Sequence, residues 1–258
     1  MKTYNIVFLL MLIIVFFSSC SSVTDRDRIE KRQLFIIMDL SDKELFEEID
    51  SDISQNFQNF MQQTKLGNIL PCQQFTLSLA HFGGEDILDV SSKSIAIPRK
   101  GLSHEEENEL ANPIPLRNLM VQKIQEYRQL TNDSLITSKT NIANVLVKSI
   151  NQSEIESRNV FLLFTDGVEN NDYVNLYKVM PNDKDISDVV KKIVEPSVLE
   201  KFLTLKQQGL QCRIIMVLKR EPKNMVNRRA IKSFWINVFK ELGLEYQFID
   251  NLSNQVNL

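Results

Sequence analysis

Three short polar clusters each follow an apolar run or open a helix-like stretch. They are Asp39-Leu40-Ser41-Asp42-Lys43, Ser138-Lys139-Thr140-Asn141 and Thr165-Asp166-Gly167. Carboxylate and hydroxyl oxygens brought together in this way make a hard-oxygen site, suited to Mg²⁺, Mn²⁺ or Ca²⁺. Lys43 opens a second possibility from the same residues, in which its ammonium neutralises Asp39 and Asp166 and no metal is held. Buried carboxylates need a partner of some kind, and either species serves.

Other chemistries find little support. The chain has two histidines, His81 in an expected strand and His104 in an acidic loop, and neither has a neighbour that completes a triad. It has no glycine-rich phosphate loop, no Gly-x-Ser-x-Gly elbow and no His-Glu-x-x-His. A strand ending in an acid is similar to the nucleophile loop of haloacid dehalogenase-like phosphatases. Ser41 stands where that Asp-x-Asp loop has its second acid, so the general acid is missing. These signs favour binding over catalysis. Trp235 reads as a core residue, and Arg228-Arg229 as a solvated face.

The elements that must carry the clusters alternate. Leu34 to Met38 is a continuous apolar run ending at Asp39, the pattern of a strand buried on both faces. Leu45, Phe46, Ile49, Ile53, Phe57 and Phe60 recur at helical spacing. Phe75 to Phe82 and Ile95 to Ile97 read as a strand pair turned near Gly83-Gly84, an antiparallel edge. A polar stretch from Pro98 to Pro115 precedes helices at Leu116 to Leu130 and Asn141 to Ile150. Val160 to Phe164 is a further buried strand. Val168 to Glu195 reads as an insertion with some helix near Ile186 to Ile193. Ser197 with Glu200 suggests a capping box, with Gly209 closing that helix. Arg213 to Leu218 is a strand, Val226 to Leu242 a helix ended by Gly243, and Leu244 to Ile249 the last strand. The expected fold is α/β: a doubly wound, mostly parallel six-stranded sheet with helices on both faces and one antiparallel edge strand. Ligands in such sheets sit outside the carboxyl ends of the strands, at the switch point.

Totals agree with one large domain, expected over residues 33–250 with a tail at 251–258. The apolar fraction is 43%, ample for a sizeable core. With 30 basic and 33 acidic residues the chain lacks the basic excess of a nucleic-acid binder. Beyond Cys20 only Cys72 and Cys212 remain, too few for a disulfide framework, though a single bridge between them is conceivable in an exported protein.

Three motif stretches carry a family resemblance. Phe35-Ile36-Ile37-Met38-Asp39-Leu40-Ser41, Thr140-Asn141-Ile142 and Phe161-Leu162-Leu163-Phe164-Thr165-Asp166-Gly167 resemble the loops of the von Willebrand factor A family. The helix and strand of Leu199 to Val217 are similar to that family's next unit. The resemblance covers about residues 33 to 250 and implies a metal-ion-dependent adhesion site, in which the metal takes one ligand from a protein partner, usually an acidic side chain. Asp39, Ser41, Thr140 and Asp166 match the ligand positions. Thr140 would bind directly through its hydroxyl, and Asp39 and Asp166 mainly through water.

Two departures bear on the metal. Lys43 replaces the second serine of Asp-x-Ser-x-Ser, and Ser138 replaces a glycine. Two unit charges ~4 Å apart at an effective dielectric of ~20 interact by about 4 kcal/mol, and a divalent ion would feel roughly double. A lysine that swings its ammonium into solvent escapes most of this. Long loops beside a site often carry recognition, which points to Lys100 to Pro115 and Val168 to Pro196 for partner choice. The expected role is a protein-interaction module, dependent on a divalent metal or acting as a metal-free scaffold of an envelope complex. The partner's identity is not legible.

The amino terminus gives an address. Lys2, the apolar run Ile6 to Phe17 and Ser18-Ser19 compose a secretory signal at residues 1–19. The run is short of the ~20 residues that span a hydrocarbon core. Phe17-Ser18-Ser19-Cys20 resembles a lipobox, with Cys20 lipidated as the first mature residue and residues 20–32 as a polar tether. Ser21, rather than Asp, after Cys20 implies the outer membrane of a cell envelope. Cys20→Ala in the full chain, expressed in a bacterial host, is expected to abolish labelling by radioactive palmitate and to block signal processing. Labelling that persists in the variant would rule the anchor out.

Overall fold

The computed structural model describes residues 29–64, 69–83, 87–97, 101–132, 139–219 and 228–254. Residues 1–28, with Cys20 and most of the expected tether, lie outside these, as does Ser138. The strands are β1 (Glu30–Asp39), β2 (Gln73–Phe82), β3 (Ile87–Ile97), β4 (Ser157–Thr165), β5 (Gln211–Leu218) and β6 (Glu245–Ile249). They form one six-stranded sheet in the order β3-β2-β1-β4-β5-β6. Only β3 runs antiparallel, against β2; the other neighbours pair in parallel.

Burial on both faces explains the apolar runs. Along β1, alternate residues enter opposite cores. Phe35 and Ile37 join Phe161, Leu163, Ile214 and Met216 on one face. That face is covered by α4 (Ile142–Ile150), α5 (Ile186–Ile193), α6 (Pro196–Gln207) and α7 (Arg228–Glu241). Leu34, Ile36 and Met38 join Val160, Leu162, Phe164, Ile215 and Val217 on the other. There α1 (Lys43–Gln63) lays down Leu45, Phe46, Ile49 and Ile53, and α3 (Ile114–Asn132) adds Leu116, Met120, Ile124 and Tyr127. Each such side chain taken fully from water contributes about 1.5–3 kcal/mol.

The ends of the elements follow local chemistry. Asp42 caps α1, its Oδ1 accepting from Glu44 N at 2.7 Å and Leu45 N at 3.2 Å. Gly209 and Gly243, just beyond α6 and α7, take φ of 95° and 61°, the left-handed stop expected there. The start of α6 differs from expectation. Pro196 is its first residue and Glu195 its cap position, without a side-chain capping bond, so Ser197 and Glu200 form no capping box. A real capping box lies elsewhere, joining Ser103 and Glu106 at the start of α2 (His104–Leu110). That helix occupies the stretch read as polar loop. It buries none of its residues and so shows no apolar period.

Both margins of the domain extend further than expected. β1 begins at Glu30, taking in residues 30–32. At the other end Leu252 is fully buried, and its amide donates to the Asp52 carboxylate at 3.2 Å. Asp52 is itself paired with Lys219 inside the protein. Cys72 and Cys212 are free, on opposite sides of the β1–β4 pair. Three strand spacings separate β2 from β5, roughly 14 Å, which is out of reach of a disulfide.

Helix α7 presses directly on the turn after β4. Gly167 has φ 78°, and a Cβ there would stand 2.8 Å from both Ile231 Cγ2 and Leu218 Cδ2. The Gly167 carbonyl accepts from Trp235 Nε1 at 2.8 Å. Gly167→Ala therefore meets a backbone penalty and an overpacked core together, and should cost about 2–4 kcal/mol of stability. Urea unfolding measures it; a loss under about 0.5 kcal/mol would contradict this packing.

Candidate functional site

The chain adds β2 and β3 on one side of β1, then crosses back to build β4, β5 and β6 on the other. The switch point is therefore the gap between β1 and β4, and their carboxyl ends diverge there into a crevice. Asp39 ends β1 and Thr165 ends β4.

Asp39 is fully buried. Its Oδ1 accepts from the Ser41 amide at 2.9 Å, and its Oδ2 accepts from Thr165 Oγ1 at 2.8 Å. The Ser41 side chain bonds to it as well. Burial pushes the carboxyl above the ordinary carboxylate range; the Ser41 and Thr165 bonds oppose that, and the nearby charge of Asp42 adds to it. No basic side chain among the described residues pairs with Asp39.

The β4 loop is held from inside. Thr165 Oγ1 also accepts from Gly167 N at 3.0 Å, and half-buried Asp166 accepts from Val168 N at 2.8 Å. The sequence placed Thr165 in the third polar cluster without a role of its own, yet its hydroxyl ties the two central strands together at the site.

The third loop is fastened to the same segment. Thr140 and Asn170 exchange backbone bonds of 2.7 and 3.0 Å, and Thr140 Oγ1 donates to the Val168 carbonyl at 2.9 Å. Asn141 caps α4 by accepting from Asn144 N at 3.1 Å. Glu169, which sequence reasoning missed, lies fully buried against the first turn of α4. Its carboxyl accepts from the amides of Ala143 and Ile142 and from Asn171 Nδ2. Burial nevertheless pushes it up to about 8, with the Asp39 charge adding to the shift. Tyr177, also missed, has its phenol pushed up to about 12, first by burial and then by the charges of Asp166, Asp39 and Asp42. Both belong to the Val168 to Glu195 segment, which has no apolar period to display them.

Lys43 stands apart from this set. It is the first residue of α1 and exposed, and it forms no ion pair with any described carboxylate. The contact needed for a lysine-filled site is not made. Trp235 is core, as expected, but its indole also fixes the Gly167 carbonyl. Arg228, expected on a solvated face, is half-buried and bonds Leu218 O and Asp250 Oδ1. His81 packs on Tyr127 with ring centroids 4.5 Å apart, and His104 is exposed at the start of α2.

Three or more His, Cys, Asp or Glu side chains do not converge among the described residues in a way that would hold a cation by themselves. A cation at the switch point would rest on hydroxyls and carboxylates together. Thr140 donates its single proton to Val168 O, which leaves the hydroxyl lone pairs for a cation. Asp39 supplies a buried negative charge with hydrogen-bond donors but no cationic partner. On both counts the residues present fit a hard divalent ion.

No protein-family model matches the sequence, and a search of curated proteins finds no match. Among solved structures, the pilus adhesin SpaC from Lactobacillus rhamnosus GG, in an open conformation, aligns with 87% of this chain and 28% of its own. The identity is 10% and the TM-score 0.39. Proximal thread matrix protein 1 from the mussel byssus, with a zinc-occupied MIDAS motif, aligns over 88% of this chain and 45% of its own, with 11% identity and a TM-score of 0.36. This chain thus spans less than half the length of either protein. Likenesses at these scores carry no functional argument.

The buried Glu169 has a consequence for pH. Its folded pKa, about 8, lies above the unfolded value near 4.5. The folded state therefore binds more protons between those values, and stability falls as pH rises from about 4.5 through 8, then levels off. Glu169→Gln should flatten this limb of the stability–pH curve, by a change on the order of a few kcal/mol across the window. An unchanged curve in the variant would assign the dependence to another group.

Proposed function

We propose that this chain is a protein-interaction module of the von Willebrand factor A type, capturing its partner at the carboxyl ends of β1 and β4 through a divalent cation. One observation carries the reading: the Thr165–Asp39 bond joins the two strand ends at the switch point, while the Thr140 loop is pinned to the same β4 segment. Ser41 and Thr140 would offer hydroxyl oxygens to the cation, and Asp39 and Asp166 would hold it through water. When bound, the cation supplies a positive centre that accepts an acidic side chain of the partner. Exposure of Lys43 to solvent favours this over the metal-free version.

Of the two segments expected to select the partner, Val168 to Pro196 adjoins the site. It leaves β4 at Asp166, and Tyr173 and Val179 on it are 67% and 70% exposed. These apolar groups form a rim suited to a partner loop that carries its acid among apolar neighbours. The segment from Lys100 to Pro115 leaves the sheet at the other end. Because β3 is antiparallel, its last residue Ile97 pairs with Gln73, the first residue of β2. The chain then sets out from the amino-terminal edge.

A lipid anchor on Cys20 belongs to the same proposal and rests on the composition of residues 1–20. It would present the loop face outward on a cell envelope. Among the described residues, no helix is long and apolar enough to cross a membrane.

Titration of the domain with Mg²⁺, Mn²⁺ or Ca²⁺ tests the site. A ligand at 100 times its Kd adds about 2.7 kcal/mol, or roughly 5–10 °C in melting temperature for a domain of this size. The wild type should show such a rise, Asp39→Asn should lose it, and Lys43→Ser should enlarge it. A melting temperature indifferent to all three ions in the wild type and in Lys43→Ser would exclude a cation-dependent module.

A further inference from the structure

Three arginines share one face of the sheet at its amino-terminal edge, the end opposite Asp39. Side chains alternate along a strand, and Leu34, Val160 and Ile215 belong to the core that α1 and α3 cover. Arg32, Arg158 and Arg213 each stand two residues before one of these, so they emerge on that same face. The register is unbroken there. Arg32 pairs directly with Arg158 across β1 and β4, about 4.8 Å away from backbone to backbone. Arg213 of β5 pairs with Val160, one row further in. The seven steps of β1 from Arg32 to Asp39 put the cluster roughly 23 Å from the crevice.

Like charges on neighbouring strands repel, and little offsets them here. Arg32 Nε donates to Glu30 Oε1 at 2.9 Å, and Gln73 Nε2 donates to the other oxygen of Glu30 at 2.8 Å. Arg158 is exposed and forms no ion pair with any described carboxylate. Glu245 stands opposite Arg213 in register, yet it forms no ion pair with it. Arg213 is half-buried, and its Nε is closed off from solvent without a hydrogen-bond partner among the described residues. A buried donor of a charged group is costly when no acceptor meets it. A bound anion would supply that acceptor and relieve the repulsion together.

We propose that Arg32, Arg158 and Arg213 form a binding site for a phosphate group, separate from the cation crevice. A guanidinium presents a planar fork of donors that matches phosphate oxygens. One such fork fills a carboxylate, which has two oxygens and a single charge. A phosphate has further oxygens to share among forks that arrive from three strands. Two sources offer this chemistry, a soluble phosphate ester and the phosphodiester headgroup of an anionic lipid. The anchor proposed at Cys20 would keep this edge near a bilayer. Ten residues lead from Cys20 to Glu30, at most about 35 Å of extended chain.

Calorimetry on the full-length protein in neutral detergent, at fixed ionic strength, tests the site with two probes. One is inorganic phosphate, and the other is glycerophosphoglycerol, the deacylated headgroup of phosphatidylglycerol. The wild type should bind at least one of them. Arg158→Gln removes an exposed charge without opening the core and should weaken that binding on the order of 10-fold. Arg213→Lys keeps the charge but loses the fork, and should weaken it by a similar factor. Melting temperature without ligand checks that each variant is folded, and Arg158→Gln decides alone where Arg213→Lys is not. Tighter binding of the phosphodiester supports the site and assigns it to a lipid headgroup. Tighter binding of inorganic phosphate supports it equally and assigns it to a soluble phosphate ester. A wild type that binds neither probe, or binding that is undiminished in the folded variants, overturns the phosphate site.

Discussion

A carboxyl group held wholly inside the protein at the end of its central strand constrains everything around it. Asp39 has no water to solvate it, and an isolated buried charge is costly enough that the fold must supply donors or keep a proton there. Ser41 and Thr165 are those donors. Because Thr165 belongs to β4, satisfying Asp39 fixes the end of β4 against the end of β1. The chain must then leave β4 in a tight turn under α7. Gly167 fits because Ile231 and Leu218 leave no room for a Cβ, and Trp235 pins the turn through the Gly167 carbonyl. One carboxyl thus reaches, through a hydroxyl, a glycine and an indole, into the packing of a helix far along the chain.

Negative charge is concentrated in this region beyond what Asp39 alone brings. Asp42 caps α1, Asp166 follows Thr165, and Glu169 lies buried against the first turn of α4. The charge of Asp42 adds to the upward push on Asp39, and that of Asp39 to the push on Glu169. The structure relieves the crowding by different means at each. Glu169 sits at a helix amino terminus, where amide dipoles favour an anion, yet its burial still favours the proton at neutral pH. Asp166 accepts from the Val168 amide, and Asp42 spends its oxygen on the amides of its own helix. Asp39, like Glu169, combines full burial with neutral donors, so a cation at the switch point would relieve more than a surface ion pair does.

What could be read in the sequence followed burial. Leu34 to Met38, Val160 to Phe164 and Arg213 to Leu218 are apolar because both faces of the central strands are covered, and the structure places strands over all three. Edges were harder. Only Ile95 to Ile97 of β3 was legible, because residues 90 and 92–94 of this edge strand are exposed and lack the apolar run of a covered strand. Helix α2 escaped for the same reason, although Ser103 and Glu106 carried a capping signal. The site was half legible. Asp39, Ser41, Thr140 and Asp166 stand beside recognisable strands or caps. Glu169 and Tyr177 come into place through the Thr140–Asn170 and Asn170–Asn175 pairings, which join loops distant in sequence and leave no periodic trace. Nothing in the chain around Tyr177 marks it as different from Tyr173.

Lys43 shows how a departure from a motif is to be weighed. Charge alone suggested a site spoiled or filled by an ammonium. The side chain instead leaves the first turn of α1 into solvent, where screening over about 8–10 Å weakens its effect on the crevice. On the proposed cation reading, what the substitution removes is one hydroxyl ligand. A cation held by fewer protein oxygens binds less tightly alone and gains more from the carboxylate that a partner brings. Coupling of this kind is reciprocal: if the partner tightens cation binding by some factor, the cation tightens partner binding equally. On that reading a serine at position 43 would favour a permanently loaded site, whereas lysine would favour one that fills when the partner arrives.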